Sequence, residues 1–233
     1  MKVLVLFSGT GSVEKVFETD HECRGLDILK KFQPYYLQDI LTWNYQQALQ
    51  DWTPDYIHAS PVCKEFSVVK NAGKKRDMNF ALLLLNKTLE IIQYVLTLNP
   101  SLKYTIENPV GLMRKLDQMK PYQRITTSYC QYGFPYQKQT DFWFGGFDLK
   151  LRKRCGKHSP CSQSVSMHQH PVRLCVSNTS KLFKIRQGQI GDDEYLRSLK
   201  LSYPDIAHFN CTFLRYRIPS GLIVDLKRCV EFC

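Results

Sequence analysis

The 233-residue sequence is 43% hydrophobic, 12% aromatic and 23% charged, which describes an ordinary globular protein with one main core and room for a small appendage. Thirty-two Lys and Arg against 21 Asp and Glu leave a formal charge of +11, so a polyanion is the expected partner, the alternative being a protein merely kept soluble by charge. Nine scattered cysteines, an odd number, and the brief apolar run VLVLF at the start argue against a disulfide-framed secreted chain and for an intracellular, reducing setting.

KVLVLF reads as a strand that ends in the glycine turn SGTGS, and VEKVFE as the helix that follows. CRGLDI reads as a second strand closing on Asp27, YYLQDI as a third element closing on Asp39, and DYIHAS as a buried strand running into SPVCKEFS. Asp77 caps an amphipathic helix, roughly Met78 to Leu98, in which Leu82, Leu85, Leu89, Ile92 and Val95 recur at helical steps until Asn99-Pro100 stops it. The stretches ALLLL and IIQYVLTL are broken by NKTLE, so no membrane span is expected. KYTIENP, RITTSYC and TDFWF read as further strands, and the alternation of strands with helices predicts an α/β fold with a mostly parallel sheet.

After Gly146 the sequence turns polar, basic and rich in Cys and His. The expected organisation is a main domain over 1–144, a small inserted region over 145–210 that holds a short helix at DDEYLRSLKLSYP, and a closing strand TFLRYRI and helix PSGLIVDLKRCVEF over 211–233.

Gly9 and Gly11 follow a strand and open a helix, the setting in which bare backbone N–H groups approach a nucleotide-like ligand, although a ligand-free tight turn fits the same residues. Asp27, one strand later, is placed to bind ribose hydroxyls. Cys63 lies just beyond a buried strand, at the sheet edge where such folds present their chemistry. A lone cysteine is more often inert core; the odds turn with Glu107 at the next strand end, an acid placed to protonate a ring nitrogen while the thiolate attacks.

Together these residues resemble the DNA cytosine-5 methyltransferase family, in particular its short phage and virus homologues, over nearly the whole chain. LFSGTGSVEKVFE is similar to the family's first motif, GLDI and QDI to its next cofactor motifs, SPVCKEFS to the Pro-Pro-Cys loop, IENPVG to Glu-Asn-Val, and GFPYQKQTDFW to Gly-x-Pro-Gln-x-Arg-x-Arg. The resemblance implies a Rossmann-like fold that binds S-adenosylmethionine through Phe7, Ser8, Gly9, Thr10, Gly11, Asp27, Ile28, Asp39, Ile40, Pro61 and Ser220, with Ile28 and Ile40 against the adenine. It implies that Cys63 attacks carbon 6 of a flipped-out cytosine in duplex DNA while Glu107 protonates nitrogen 3, aided by Lys138 and Asn108. Asn108-Pro109 reads equally well as a plain turn.

The small inserted region then corresponds to target recognition, with Arg152, Lys153 and Arg154 on DNA phosphates. No metal is assigned there. Zinc-type side chains are nevertheless frequent, at Cys155, His158, Cys161, His168, His170 and Cys175; the zinc candidates are Cys155, Cys161, His168 and Cys175, against the alternative of a solvated basic loop.

Three departures from the family pattern stand out. Val62 replaces the second proline, Lys138 and Thr140 replace two arginines, and Pro219-Ser220-Gly221 replaces Asn-Ser-Val. They leave open an inactive nucleic-acid-binding homologue, and the small recognition region leaves open an RNA or a free or modified pyrimidine as substrate. The expected location is wherever the DNA resides, in host cytoplasm, nucleoid or a viral compartment.

Overall fold

An apolar run long enough to be covered on both faces belongs at the centre of a parallel sheet, and KVLVL, β1 (Lys2–Leu6), takes that place. The computed structural model describes residues 1–67, 75–134, 136–162, 170 and 217–232. β2 (Glu22–Asp27), β3 (Tyr36–Leu37), β4 (Tyr56–Ala59) and β5 (Lys103–Pro109) run parallel to β1. β6 (Gln123–Ser128) and β7 (Gln139–Gly145) complete a seven-stranded sheet of order β3-β2-β1-β4-β5-β7-β6, with β7 antiparallel to both neighbours. This is a Rossmann-like α/β fold, as expected. Chain order reverses between β1 and β4, so the crevice for a ligand opens beyond their carboxyl ends.

Alternation along the strands divides the core in two. Val3, Val5, Tyr56, Phe142 and Phe144 face α1 (Glu14–Phe17) and the C-terminal helix α4 (Ser220–Phe232), whose Leu222, Ile223, Leu226 and Val230 are buried. Leu4, Leu6, Ile57, Ile106 and Trp143 face α2 (Tyr45–Gln50) and α3 (Met78–Leu98) on the other side. Asp77 caps α3 by accepting the Phe80 N–H at 3.0 Å. By length and composition α3 is apolar enough to cross a membrane, yet its Leu84, Leu85, Ile91, Ile92 and Val95 stripe is sunk in this core.

The sequence reading differs from the structure in detail. β3 is only two residues and ends before Asp39, α2 was not expected, and RITTSYC leaves the sheet at Ser128 to enter a 3-10 turn at Tyr129–Tyr132. Of the inserted region, residues 145–162 and 170 are described. Phe147, Leu149 and Leu151 pack on the main core, so the change of character at Gly146 is not a packing boundary. The helix expected at DDEYLRSLKLSYP and the strand TFLRYRI, apart from its last two residues, lie outside the described residues.

Two buried titratable groups pull stability in opposite directions. His58 on β4 bridges Thr105 Oγ1 at 2.9 Å and Ser60 Oγ at 3.1 Å, and burial pushes its pKa down to about 3 from an ordinary 6.5. Burial raises Glu14 to about 7 from 4.5; its Oε1 accepts the Ser8 hydroxyl, and Oε2 has no hydrogen-bond partner among the described residues. His58 therefore stabilises the fold above pH 6.5 and loses that contribution as pH falls, whereas Glu14 stabilises it below pH 4.5 and loses that contribution as pH rises through 7. Between those values the slopes cancel, at about 1.4 kcal/mol per pH unit each. Urea denaturation of Glu14→Gln should expose the His58 slope, stability falling by about that amount per unit on acidification below pH 6.5. An unchanged flat profile would refute the assignment.

Candidate active site

The turn after β1 is held in an unusual backbone state. Phe7, Gly9 and Gly11 all have positive φ, at 60°, 56° and 66°, a region open to glycine but strained for phenylalanine. Hydrogen bonds maintain it: Ser8 N–H donates to the Leu26 carbonyl at 3.0 Å and Gly9 N–H to Asp27 Oδ2 at 2.8 Å. Asp27 Oδ1 accepts the Leu29 N–H at 2.8 Å, and Ile28 beside it is 63% exposed. Thr10 Oγ1 meets Ser12 Oγ at 2.8 Å, and Ser12 Oγ accepts the Ile218 N–H at 3.3 Å, which sets the start of α4 and exposed Ser220 against this turn. Asp39 is half-buried and accepts the Leu41 N–H at 3.0 Å, and Ile40 beside it is buried in the core.

The loop after β4 carries Cys63. Pro61 is buried, Val62 is 45% exposed, and Cys63 is partly exposed, its carbonyl accepting from Phe66 and Ser67 N–H at 3.1 and 2.9 Å. Asn108 Nδ2 donates to the Pro61 carbonyl at 2.9 Å, and Leu112 N–H donates to the Phe66 carbonyl at 2.8 Å. Asn108 lies inside β5 and opposes Asp141, so it is a strand residue that ties down the Cys63 loop and not a turn.

Glu107, next to it, is 5% exposed. Its Oε1 accepts the Tyr129 hydroxyl at 3.1 Å and stands 3.5 Å from Lys138 Nζ, which is also 3.2 Å from that hydroxyl. Burial and the neighbouring carboxylate hold the Tyr129 phenol well above its ordinary range, so it remains a donor. Since β4 and β5 pair with Ala59 opposite Ile106, the Cys63 loop and Glu107 leave the sheet at one edge, two strands from the glycine turn at most. A partly exposed cysteine, a buried carboxyl group and a backbone cradle on one sheet edge are the groups that transfer to a ring would use.

Comparison with known proteins is decisive at this point. No family model matches the chain. Over 243 aligned residues it is 32% identical to a probable DNA (cytosine-5)-methyltransferase of Frog virus 3 (isolate Goorha), covering 97% of this chain and 98% of that protein. The chain belongs to the DNA (cytosine-5)-methyltransferase family. The solved structure of the Entamoeba histolytica methyltransferase EhMeth shares the fold, with a TM-score of 0.59, 12% identity and coverage of 99% and 97% of the two chains. A Spodoptera frugiperda DNMT2 mutant aligns with a TM-score of 0.43, 20% identity and coverage of 74% and 58%.

This methyltransferase family implies S-adenosylmethionine as methyl donor, and the residues present fit it. The positive-φ turn after β1, the Asp27 carboxylate bonded to it and the exposed Ile28 side chain lie together beyond the carboxyl ends of β1 and β2, next to the topological switch point.

Several neighbours were invisible in the sequence. Tyr129 is a core aromatic by pattern and reaches Glu107 only because β7 inserts between β5 and β6. Buried Asp141, amid the aromatic run TDFWF, is gripped by Arg114 through Nε at 2.9 Å and Nη2 at 2.6 Å, beside Thr140. The charge in an apolar run was the only signal.

Arg152 is held by neighbours in the chain. It donates to the Gln131 carbonyl at 2.8 Å and lies over Tyr132, and like Lys153 and Arg154 beside it, it is exposed. Of the zinc candidates, His168 and Cys175 lie outside the described residues, and His158 is exposed. Cys155 and Cys161 meet, joined by His170 and by Cys130, a residue of the expected strand RITTSYC.

Gly111 sits under the Cys63 loop, where an added Cβ would run into the Phe66 carbonyl oxygen. Gly111→Ala should displace that loop and cut methyl transfer by an order of magnitude or more while cofactor affinity, measured by calorimetry, stays within about twofold. Equal turnover would show that the loop's seat is unimportant.

Proposed function

We propose that the chain transfers a methyl group to carbon 5 of cytosine in DNA through a covalent adduct with Cys63. The observation that carries this is Glu107, a buried carboxylate held by Tyr129 and Lys138 beside the loop that presents Cys63.

Cytosine carbon 5 is a poor nucleophile until something adds at carbon 6. Cys63 thiolate adds there, and Glu107 donates a proton to nitrogen 3 so that the ring never carries the full developing charge. Lys138 and Tyr129 hold the Glu107 carboxyl in place, and Asn108 holds the Pro61 end of the loop. S-adenosylmethionine, when bound at the glycine turn, supplies the electrophilic methyl carbon. Transfer of the carbon 5 proton to a water in the site and return of the nitrogen 3 proton to Glu107 then let Cys63 leave as thiolate and restore the aromatic ring. Because the ring faces are hidden in a duplex, the base must leave the stack.

A nucleic-acid polymer is favoured as substrate by the +11 charge and by exposed Lys153 and Arg154, and DNA in particular by the viral relative's name. Neutralising Lys153 and Arg154 should weaken duplex binding and lower the slope of log affinity against log salt by about 0.9 per lost phosphate contact. Binding indifferent to salt would exclude the duplex reading.

DNA carrying 5-fluorocytosine should trap the enzyme after methyl transfer, since fluorine does not leave as a cation. A protein–DNA band stable to denaturing electrophoresis should build up only with S-adenosylmethionine, and Cys63→Ser should abolish it. Glu107→Gln should slow it by about 10²–10⁴-fold with cofactor affinity retained. An adduct on matched RNA and none on DNA would move the substrate to RNA; an adduct in Cys63→Ser would exclude Cys63 as nucleophile.

A further inference from the structure

We infer that Cys130, Cys155, Cys161 and His170 form a structural zinc site that clamps the inserted region to the catalytic sheet. The donor atoms of these residues all lie within 4.8 Å of one another, with His170 Nε2 3.2 Å from Cys161 Sγ and 3.8 Å from Cys155 Sγ. Zinc–sulfur bonds of ~2.3 Å and zinc–nitrogen bonds of ~2.0 Å at tetrahedral angles place ligand atoms roughly 3.5–3.8 Å apart, so a small contraction of this cluster suffices.

The cluster is set apart from the rest of the interior. Its cysteines are buried at 0%, 4% and 7% exposure and form a buried group of their own, separate from the two apolar cores. They stand as thiols, and three of them cannot all pair in disulfides. Packing alone gives no reason to collect three sulfurs and an imidazole in one place, whereas a soft dication does. Four protein donors close the coordination sphere, which marks a structural and not a catalytic metal.

The surrounding backbone is arranged to aim these side chains. Cys155 N–H donates to Ser128 Oγ at 3.1 Å, and Gln137 Nε2 donates to the Cys155 carbonyl at 3.1 Å. Between Cys155 and Cys161 the chain folds back through paired Gly156 and Ser159 hydrogen bonds of 3.1 Å each, and Gln131 Nε2 donates to the Ser159 carbonyl. Supporting bonds of this kind orient ligands at metal sites.

The ligands come from three stretches: the turn after β6, the segment beyond β7, and His170. Cys130 adjoins Tyr129, the donor to Glu107, and Cys155 adjoins the exposed cations Lys153 and Arg154. The metal therefore joins the acid's support to the basic edge, and its presence does not depend on which nucleic acid is the substrate.

Elemental analysis of the full chain, purified without chelator, should find about one zinc per chain. Replacement by cobalt(II) should give the visible bands of tetrahedral thiolate coordination, and X-ray absorption should fit three sulfurs and one nitrogen. Cys155→Ser and Cys161→Ser should each lose the metal, Cys229→Ser should keep it, and His170→Cys should keep it with a stronger thiolate-to-cobalt band. A folded, reduced chain that takes up neither zinc nor cobalt, a stoichiometry untouched by the Cys155 and Cys161 changes, or a native disulfide within the cluster would each overturn the assignment. The absorption fit on the unaltered chain and the His170→Cys variant keep the test open should the serine variants fail to fold.

Discussion

A carboxylate buried at the end of a strand has to be met by donors, because an uncompensated charge there costs several kcal/mol. Glu107 imposes this requirement on the edge of the sheet. Its partners Tyr129 and Lys138 flank the β6–β7 connection, one just past β6 and the other just before β7, and the Tyr129 N–H to Lys138 carbonyl bond of 3.1 Å draws the two ends together. The antiparallel insertion of β7 between β5 and β6 places that connection over Glu107. Topology and acid are thus one problem with one solution. The same turn also carries Cys130, so whatever fixes the inserted region acts on the support of the acid.

The glycine turn is a second strained element. A phenylalanine at positive φ costs on the order of 1–3 kcal/mol, and the hydrogen bonds to Leu26 and Asp27 offset it. Asp27 holds the turn through Gly9 N–H while the proposed cofactor role uses the same carboxylate. Removing it relaxes the cradle as well as a ligand contact, so the residue is more than the ligand-facing strand end that its position in GLDI suggests.

What was legible in the sequence follows from these contacts. β1, β4, β5 and α3 were readable because each is an unbroken or periodic apolar run with a clear terminator, such as the Asp77 cap. Elements as short as β3 and α2 leave no periodicity to read. Cys63 follows β4 and Glu107 lies near the end of β5, and both are legible there. Tyr129, Arg114 and Cys130 act across the sheet, and pairing between distant strands is a matter of register that local pattern does not carry. Ile40, expected beside the cofactor from its place in QDI, packs in the core just beyond β3.

The departures from the family pattern look different once the loop's tethers are considered. A proline at position 62 would stiffen the loop by about 0.4–1 kcal/mol through the unfolded state. Valine gives that up. In its place, Arg76 donates to the carbonyls of Glu65 and Ser67, the Glu65 carboxylate accepts the Asp77 N–H at 3.0 Å, and Asn108 and Leu112 hold Pro61 and Phe66 from the β5 side. Several bonds of about 0.5–1.5 kcal/mol each exceed the lost stiffness. Likewise Thr140 carries no charge, yet Arg114 brings a guanidinium to its neighbour Asp141, and Lys138 remains on Glu107. An inactive homologue has no need to keep a buried acid costly to maintain and a loop pinned on both flanks. The presence of both around Cys63 supports the nucleophile role proposed for it.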